Sequence, residues 1–450
     1  MTQNAAEKMV DAPIEVKQFY YTALEVENVR CFKDRQRLNL SDENGSWAKW
    51  TVLLGNNGSG KTTLLQCLYE MMPYKMKLME SDKICVRPYL SGNGRISFDK
   101  FSRNTGSLFL GIEYIFSTIN NKFINDRSGV EIRLLSNHKF ISTYGYSKIE
   151  EKYYSLFIRK YGQNRLFSNE IGDRKEIDNQ EYSLIEEINL LNPEKWLLNA
   201  DYTASKESKI QERAKFRLKT IQDTLVDLLP DIEEIRIVPP ERAKDLPKVE
   251  FRTPYGWVKF DQLSLGYRTM MGWVVDLAAR MFDHYPESPD PLAEPAIVLV
   301  DEIDLHMHPQ WQRKIMHHLS QHFQNTQFIV TAHSPLIAQA ATDARTNIAV
   351  LRREGDQVII DNNPENIRNW RIDQILSSDL FGVPLRSETM EQLMQERASI
   401  LAKPHLTAED TERVRHLEQE IGDPPVGESK TDWEAMQLIR AAAAHLQQGK

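Results

Sequence analysis

The densest set of residues able to do chemistry lies in one glycine-rich stretch, GNNGSGKTT (55–63). Its spacing fits the pattern G-x-x-x-x-G-K-[ST], in which glycines let a loop curl so that backbone N–H groups surround phosphate oxygens. Lys61 adds a positive charge for the β- and γ-phosphates, and the Thr62 hydroxyl is placed to bind Mg²⁺. The pattern predicts a site for ATP with these binding residues: Asn57, Gly58, Gly60, Lys61, Thr62 and Thr63.

Two adjacent carboxylates, Asp301 and Glu302, follow the most apolar run of the chain, AIVLV (296–300). At the end of a buried strand, Asp301 is placed to hold Mg²⁺ through water, and Glu302 is placed to orient or deprotonate an attacking water. Acidic residues that merely begin a surface loop are the alternative interpretation. The phosphate loop earlier in the chain disfavours that alternative, so the pair is predicted to act in phosphoryl chemistry.

A second anion site is predicted at Ser264 and Gly266 in LSLGYR (263–268), because both stand where a helix begins. Alone, this pattern is more often a simple helix cap. Since the chain already has one phosphate loop, a second anion site implies that the two belong to different subunits. His333 in TAHSP, just beyond another apolar strand, can reach a γ-phosphate or the attacking water, and a purely structural histidine is the alternative.

Length and composition limit the class of protein that carries these residues. The chain has 450 residues, 41% of them hydrophobic, and a net charge of −8, which disfavours a wholly basic protein that coats DNA. Its three cysteines are an odd number at no metal-like spacing, as is typical of a reducing cytosol. No signal-peptide pattern and no run near the ~18 apolar residues needed to cross a membrane occurs. We therefore expect a cytoplasmic protein that does not enter the membrane.

The elements that must position the chemistry are predicted from periodicity. WTVLLG (50–55) reads as a buried strand before a helix, and AIVLV and QFIVTAH (327–333) as further strands of a parallel sheet covered by helices on both faces. YYTALEVENVR (20–30) is strand-like and could pair with RLNL (37–40). The chain is predicted to consist of an N-terminal lobe (1–75), an insertion or lid (76–230), a C-terminal lobe (231–365) and a helical region (366–450).

In order and spacing, GNNGSGKTT, LSLGYR, VLVDEIDLHMHP and TAHSP resemble the ABC-type ATPases grouped with SMC, RecF and OLD proteins. Two of these segments, DEIDLHMHPQWQ and LSLGYR, are similar to the compact ATPases of bacterial anti-phage systems of the Septu type. The resemblance implies an α/β ABC-ATPase head with an N-terminal β-subdomain, a mainly helical insertion and a helical C-terminal tail. It also implies that Lys61 and Thr62 belong to Walker A, and Asp301 and Glu302 to Walker B. Ser264 and Gly266 would form the signature that acts in trans, and His333 would be the switch histidine.

Two departures and one weaker match accompany the resemblance. The signature has Leu265 where transporters and SMC proteins mostly have glycine, which suits the defence subgroup. No glutamine between the Walker A helix and the insertion stands out as the γ-phosphate sensor known as the Q-loop residue. YGQNR (161–165) is similar to a Tyr-Gly…Arg element of this subgroup.

The remaining segments bear on partners. Residues 138–176 interleave basic and aromatic residues, a mix that can bind nucleic acid, although an ordinary lid with solvated lysines is the alternative. The residues after His333 show no nuclease pattern, so any cutting of nucleic acid is expected from a partner.

Three functions compete at this point. The first is an ATPase that dimerises, or forms a higher oligomer, around ATP and acts as sensor and scaffold of anti-phage defence, controlling a separate nuclease or toxin. The second is a RecF-like DNA-repair ATPase that clamps DNA. The third, the nucleotide-binding subunit of a transporter, is the least supported, because of the opening strand, the long insertion and the altered signature.

Overall fold

The computed structural model describes the main elements of the chain. The described residues are 16–70, 73–74, 87–88, 108–118, 123–134, 140–144, 157–163, 167 and 190–422, with gaps at 243, 245, 342–344, 365–369, 379–380, 382–385, 404 and 406. The chain divides into a head unit, Met1–Ile375 with Asp379–Phe381, and a tail unit, Leu376–Ser378 with Gly382–Lys450.

The strands of the head unit, in chain order, are β1 Val16–Glu27, β2 Gln36–Asn39, β3 Trp50–Gly55, β4 Pro73–Tyr74, β5 Arg87–Pro88, β6 Leu108–Thr118, β7 Phe123–Leu134, β8 Phe140–Tyr144, β9 Ile158–Tyr161, β10 Glu234–Val238, β11 Lys248–Thr253, β12 Gly256–Lys259, β13 Ala296–Val300, β14 Thr326–Thr331, β15 Thr346–Glu354 and β16 Gln357–Asp361. The helices are α1 Lys61–Glu70, α2 Pro193–Ser205, α3 Gln211–Leu228, α4 Leu265–His284, α5 Pro309–Gln312, α6 Ile315–His322, α7 Pro335–Ala340 and α8 Ile372–Ser377, which runs into the tail unit. The tail unit adds α9 Glu388–Leu401 and α10 Ala408–Ile421.

The central sheet has the order β16-β15-β3-β14-β13-β9. The pairs from β15 to β9 are parallel, and only β15–β16 is antiparallel. Strands β13 and β14 are buried along their whole length, as strands of a parallel sheet covered on both faces should be. The predicted buried strands at 50–55, 296–300 and 327–333 are therefore confirmed as neighbours in one sheet.

Alternate residues of these strands enter two hydrophobic clusters, one on each face of the sheet. Val298 and Val300 pack with residues of α2, α3 and α4 on one face. Leu299 and Ile329 pack with α1 and with β1 on the other. The layers on the two faces hold the sheet in place, so that the loops after its strands have a rigid base.

A five-stranded antiparallel sheet, β2-β1-β6-β7-β8, forms the β-subdomain. Strand β1 pairs with β2 in the register Leu24↔Leu38, which confirms the predicted pairing of the first two strand segments. A third sheet, β10-β11-β12, contains the hairpin β11–β12, with Thr253 opposite Gly256.

The segment 76–230 supplies parts of the head itself. Strands β6 to β8 extend the β-subdomain, and β9 pairs with β13 at the edge of the central sheet. Helices α2 and α3 pack into the main core through Leu197, Ile221 and Leu225. Within the described part of this segment only α2 and α3 are helical, and the described residues before Tyr144 are β-strands.

The tail unit contains two amphipathic helices. Helix α10 begins with a capping box at Thr407, whose side chain and that of Asp410 each bind the other's backbone N–H. Arg397 of α9 is buried and forms an ion pair with Glu418 of α10, with 2.8 Å between nitrogen and oxygen. In the part of the chain that is described, no helix combines the length and the apolar character required to span a bilayer.

Candidate nucleotide-binding site

The phosphate loop joins β3 to α1 and depends on glycine where the chain turns into the helix. Gly60 has a φ of +87°, a backbone conformation that residues with a side chain rarely adopt. A Cβ atom there would lie 2.5 Å from Cys31 Sγ and 2.8 Å from the Phe32 ring. The loop is therefore held tightly against the segment after β1, and a larger residue would push it out of shape.

Lys61 is held inside the curve of this loop. Its Nζ donates to the carbonyl oxygens of Gly55 at 2.7 Å and Asn56 at 3.0 Å, and the residue is 6% exposed. Burial lowers the pKa of Lys61, while the nearby carboxylates, Asp301 first, act against that shift. The cation is thus pre-positioned where phosphate oxygens would replace the two carbonyl partners.

The end of β13 meets the start of α1 through hydrogen bonds to Asp301. Thr62 Oγ1 donates to Asp301 Oδ2 at 2.8 Å, and Thr331 Oγ1 donates to Asp301 Oδ1 at 2.6 Å. The Thr62 hydroxyl and the Asp301 carboxylate are hard oxygen ligands, the kind that Mg²⁺ takes together with water and phosphate oxygens. Within the described ranges, no group of three or more His, Cys, Asp or Glu side chains is arranged to hold a metal by itself. The geometry fits a Mg²⁺ that depends on nucleotide for its other ligands.

Glu302 has an uncommon backbone conformation, with φ at +50°. Its N–H donates to Thr331 Oγ1 at 2.7 Å, so the neighbouring strand β14 holds this turn. The turn directs the carboxylate between two side chains: Gln163 Nε2 donates to Glu302 Oε1 at 2.9 Å, and His333 Nε2 lies 3.8 Å from the same oxygen. Strained backbone of this kind is common at functional sites, where surrounding contacts maintain it.

His333 follows β14 and is fixed through its backbone. Its N–H donates to Asp304 Oδ2 at 3.0 Å. Ser334 Oγ donates to Gln312 Oε1 at 2.6 Å, and Gln312 Nε2 donates to the carbonyl oxygen of Met307 at 3.1 Å. The loop after Glu302 and the loop that carries His333 are therefore tied into one unit.

These residues line one cleft of about 330 Å³ at the carboxyl edge of the central sheet, where ligands bind in open α/β folds. A larger cavity of about 640 Å³, near Tyr20, Trp47 and Arg345, contains none of the predicted site residues in its described lining. The residues around the cleft are Arg30, Cys31, Asn57, Gly58, Ser59, Gly60, Lys61, Thr62, Thr63, Gln163, Asp301, Glu302 and His333.

The signature residues lie elsewhere. Ser264 is the exposed N-cap of α4, and its side chain makes no capping hydrogen bond. A Cβ atom on Gly266 would overlap the carbonyl oxygen of His306, so α4 begins in direct contact with the loop that follows Glu302. Among the described residues that line the cleft, none comes from 263–268. The chain's own signature is not part of its own cleft.

Four residues of the cleft are not among the predicted site residues: Arg30, Cys31, Ser59 and Gln163. Two of them, Gln163 and Arg30, make side-chain hydrogen bonds to predicted site residues. Gln163 stands two positions after the end of β9, where the resemblance located only a Tyr-Gly…Arg element and left the Q-loop residue unassigned. Arg30, after β1, donates from Nη1 to Thr63 Oγ1 at 3.3 Å and brings a second cation to the phosphate loop. Gln163 reaches the cleft because β9 pairs with β13, which spacing along the chain does not reveal.

The predicted nucleic-acid segment, 138–176, falls largely outside the described residues, as do Asn164 and Arg165 of the Tyr-Gly…Arg element. Its described parts are β8, residues 157–163 and Phe167. Binding of nucleic acid by this segment stays a prediction.

A mainly parallel sheet with a phosphate loop after β3, paired carboxylates after β13 and a histidine after β14, together with an antiparallel β-subdomain, has the arrangement of an ABC/SMC-like ATPase head. The family models agree: residues 23–233 match an AAA domain, and residues 252–338 match an AAA domain described as a putative AbiEii toxin of a type IV toxin–antitoxin system.

Two named relatives narrow the class. The chain is similar to the Septu protein PtuA of Bacillus mycoides (strain KBAB4), 23% identical over 420 residues, which are 93% of this chain and 52% of that protein. It is also similar to the Retron Ec83 probable ATPase of Escherichia coli, 28% identical over 255 residues, 56% of this chain and 43% of that one. The predicted resemblance to Septu-type ATPases is confirmed, and the chain spans about half the length of these relatives.

Among solved structures, the chain is similar to the SMC head domain from Thermotoga maritima. The superposed part covers 76% of this chain and 98% of that domain, with 14% identity and a TM-score of 0.40.

Proposed function

We propose that this chain binds ATP with Mg²⁺, hydrolyses it between two copies of itself, and through this cycle controls a separate effector protein of an anti-phage defence system. The observation that carries the proposal is the hydrogen bond of 2.8 Å between Thr62 and Asp301. It brings the phosphate loop to the carboxylate pair and so assembles in one cleft the groups that phosphoryl transfer requires.

Within the cleft, each side chain has a distinct task. Lys61 exchanges the loop carbonyls for phosphate oxygens and neutralises their charge. Thr62 and Asp301 would hold Mg²⁺, which supplies charge neutralisation at the β- and γ-phosphates when bound. Glu302 orients the attacking water and takes its proton, while Gln163 and His333 flank that carboxylate and keep it directed at the water.

Participation of a second copy follows from where the signature lies. Ser264 is exposed at the start of α4, outside the cleft of its own chain. The N-terminus of a helix carries partial positive charge and favours phosphate. A twofold pair of chains would present each signature to the other's nucleotide, producing two equivalent composite sites.

Mixing two inactive variants tests this arrangement directly. Lys61→Ala removes the phosphate-binding cation, and Ser264→Arg blocks closure from the opposite side, so each variant alone should be inactive. In mixed dimers, one composite site combines the intact phosphate loop of one chain with the intact signature of the other. Since half of randomly formed dimers are mixed and each has one intact site of two, we expect recovery of up to about a quarter of wild-type hydrolysis.

Ser208→Arg, at an exposed serine between α2 and α3, is the matched control and should hydrolyse ATP normally. If both inactive variants still associate and their mixture stays inactive, the trans arrangement is wrong. Hydrolysis in Mg²⁺ and in EDTA should be compared in parallel, because the Thr62–Asp301 pair predicts that the activity requires the metal.

Effector control rests on the relatives, one named a Septu protein and the other a retron ATPase. The physical basis is a population shift: ATP favours the closed pair, hydrolysis opens it, and an effector that binds one form only is switched. Purification from the native operon, with ATP and then with ADP, should show an accompanying protein whose retention depends on the nucleotide. Retention that is equal in both would contradict this part of the proposal.

A further inference from the structure

The last residue of β9, Tyr161, lies between the Walker A helix and the signature helix. Its neighbour Lys160 donates to Gln66 of α1 on one face of the sheet. The Tyr161 hydroxyl donates to Asp276 Oδ2 of α4 on the other face, at 3.0 Å. Strand β9 is therefore hydrogen-bonded to a helix on each face of the sheet, α1 and α4, at the end of the strand that meets the cleft.

Asp276 is fully buried in the middle of α4. Arg280 Nε donates to both of its carboxylate oxygens at 2.9 Å, and the backbone N–H of Leu191 approaches Oδ1 at 3.4 Å. A buried carboxylate is tolerated when it is paired and hydrogen-bonded in this way. Burial, with Asp276 as the next cause, raises the pKa of Tyr161 well above its usual value, so the phenol stays protonated and remains a donor.

The backbone of Tyr161 also contacts the carboxylate pair. Its carbonyl oxygen accepts from the N–H of Asp301 at 2.8 Å. Two residues later, Gln163 Nε2 makes the contact of 2.9 Å with Glu302. Further along, Phe167 packs so closely on Gly272 of α4 that a Cβ atom there would overlap its ring. The segment that carries Gln163 is thus anchored on α4 at two points, Tyr161 and Phe167.

We propose that Tyr161 and Asp276, supported by Arg280, are positioning residues that hold Gln163 against Glu302 by tying β9 to the signature helix. This inference rests on the hydrolysis proposed above. Helix α4 is a rigid element that begins directly after Ser264. Asp276 lies about 18 Å from Ser264 along the helix axis, so α4 connects the signature to the hydrogen bond with Tyr161. Without the hydroxyl, the end of β9 loses its only side-chain hydrogen bond to α4 among the described contacts.

Tyr161→Phe tests the tie, because it removes one hydroxyl and leaves the Asp276–Arg280 pair intact. We expect kcat for ATP to fall about tenfold and KM to change less than about twofold, since misplacing a positioning group affects the reacting geometry more than binding. The matched control is Tyr20→Phe: Tyr20 is equally buried, and its hydroxyl donates to the Asn325 carbonyl at 2.8 Å. Both variants should lower the unfolding midpoint by roughly 1–4 °C, and only Tyr161→Phe should lower kcat.

A double-mutant cycle with Gln163→Ala shows whether Tyr161 acts through that glutamine. If it does, Tyr161→Phe should add less than about twofold to the kcat loss of Gln163→Ala. Fully multiplicative losses would show that Tyr161 acts by another route and would overturn the inference.

Hydrogen exchange supplies a readout that needs no turnover. Amides of 157–167 should exchange at least about fivefold faster in Tyr161→Phe than in wild type, and at wild-type rates in Tyr20→Phe. If the wild-type protein does not hydrolyse ATP but Tyr161→Phe still exchanges faster than wild type, the tie stands and only the proposed hydrolysis is refuted. Unchanged exchange, with kcat equal to that of wild type, would refute the tie itself.

Discussion

Replacing Glu302 by glutamine should separate nucleotide binding from hydrolysis in this chain. The substitution removes the proton acceptor but preserves the shape of the side chain and an oxygen able to accept from Gln163 Nε2, now 2.9 Å from the carboxylate. The backbone turn at φ +50° is held by Thr331, which the substitution does not touch. The variant should therefore retain the architecture of the cleft.

The expected size of the effect follows from the role of the lost group. A positioned general base contributes about 10²- to 10⁴-fold to a reaction rate, which corresponds to about 2.7–5.4 kcal/mol of barrier. Binding depends on Lys61, Thr62 and Asp301, none of which changes, so affinity for ATP should stay within about threefold of wild type. With hydrolysis slowed and binding intact, the closed, ATP-bound assembly should accumulate.

Three measurements decide the matter: phosphate release under saturating ATP, binding of a fluorescent ATP analogue, and molar mass with and without ATP by light scattering. Glu354→Gln, at the exposed end of β15, is the matched control and should behave as wild type in all three. Turnover within about threefold of wild type in Glu302→Gln would refute the assignment of Glu302 as the base. Lost ATP binding would refute the claim that it acts on hydrolysis alone.

Thr62→Ala removes the 2.8 Å contact with Asp301 and one oxygen ligand for Mg²⁺. The Mg²⁺ concentration for half-maximal hydrolysis should therefore rise at least about tenfold. An unchanged Mg²⁺ titration would count against the metal site. Gly266→Ala places a methyl group on the His306 carbonyl. This overpacking should lower the free energy of unfolding by about 1–3 kcal/mol in denaturant titrations and weaken ATP-dependent association. Wild-type stability would contradict the tight contact. Burial lowers the pKa of Lys49 from 10.5 to about 8, so between these pH values the unfolded chain binds more protons than the folded one and Lys49 contributes a stability that rises with pH. Because the side chain is partly exposed and screened by solvent, we expect a contribution of about 1–2 kcal/mol, less than the full shift would give. Buried tyrosines such as Tyr20, whose pKa is raised, contribute less stability as the pH approaches 10, so the test compares urea midpoints of wild type and Lys49→Met at pH 7.5 and 10. Wild type should gain this amount relative to Lys49→Met, and an equal pH response in both proteins would contradict it.

The central strands and the order of the chemical groups along them were predictable from sequence because each carries a strong local signal. AIVLV and QFIVTAH are apolar throughout, as strands covered on both faces must be, and the groups that follow them project from the same edge. The cleft therefore contains Asp301, Glu302 and His333 beside the phosphate loop, as their positions after the strands imply.

The strands of the β-subdomain beyond β2 were harder to predict. Strand β6 pairs with β1 and with β7 over long antiparallel registers. In the sequence, the apolar pattern of this part of the chain is irregular, which is typical of an insertion. Tertiary pairing across many residues decided their structure, and local propensity is a weak guide in that situation.

Gln163 shows why spacing alone fails at one position of the site. Helix α1 ends at Glu70 and β9 begins only at Ile158, so a glutamine expected soon after the Walker A helix is displaced by the β-subdomain strands between them. What places it is strand order: β9 pairs in parallel with β13, in the register Tyr161↔Val300, so the residues after both strands leave the sheet side by side. Glu302 and Gln163 each stand two residues beyond that pair, which brings their side chains into contact whatever the length of chain between α1 and β9. The place of Gln163 beside Glu302 is thus determined by the strand that β9 pairs with, and the number of residues between α1 and β9 does not reveal it.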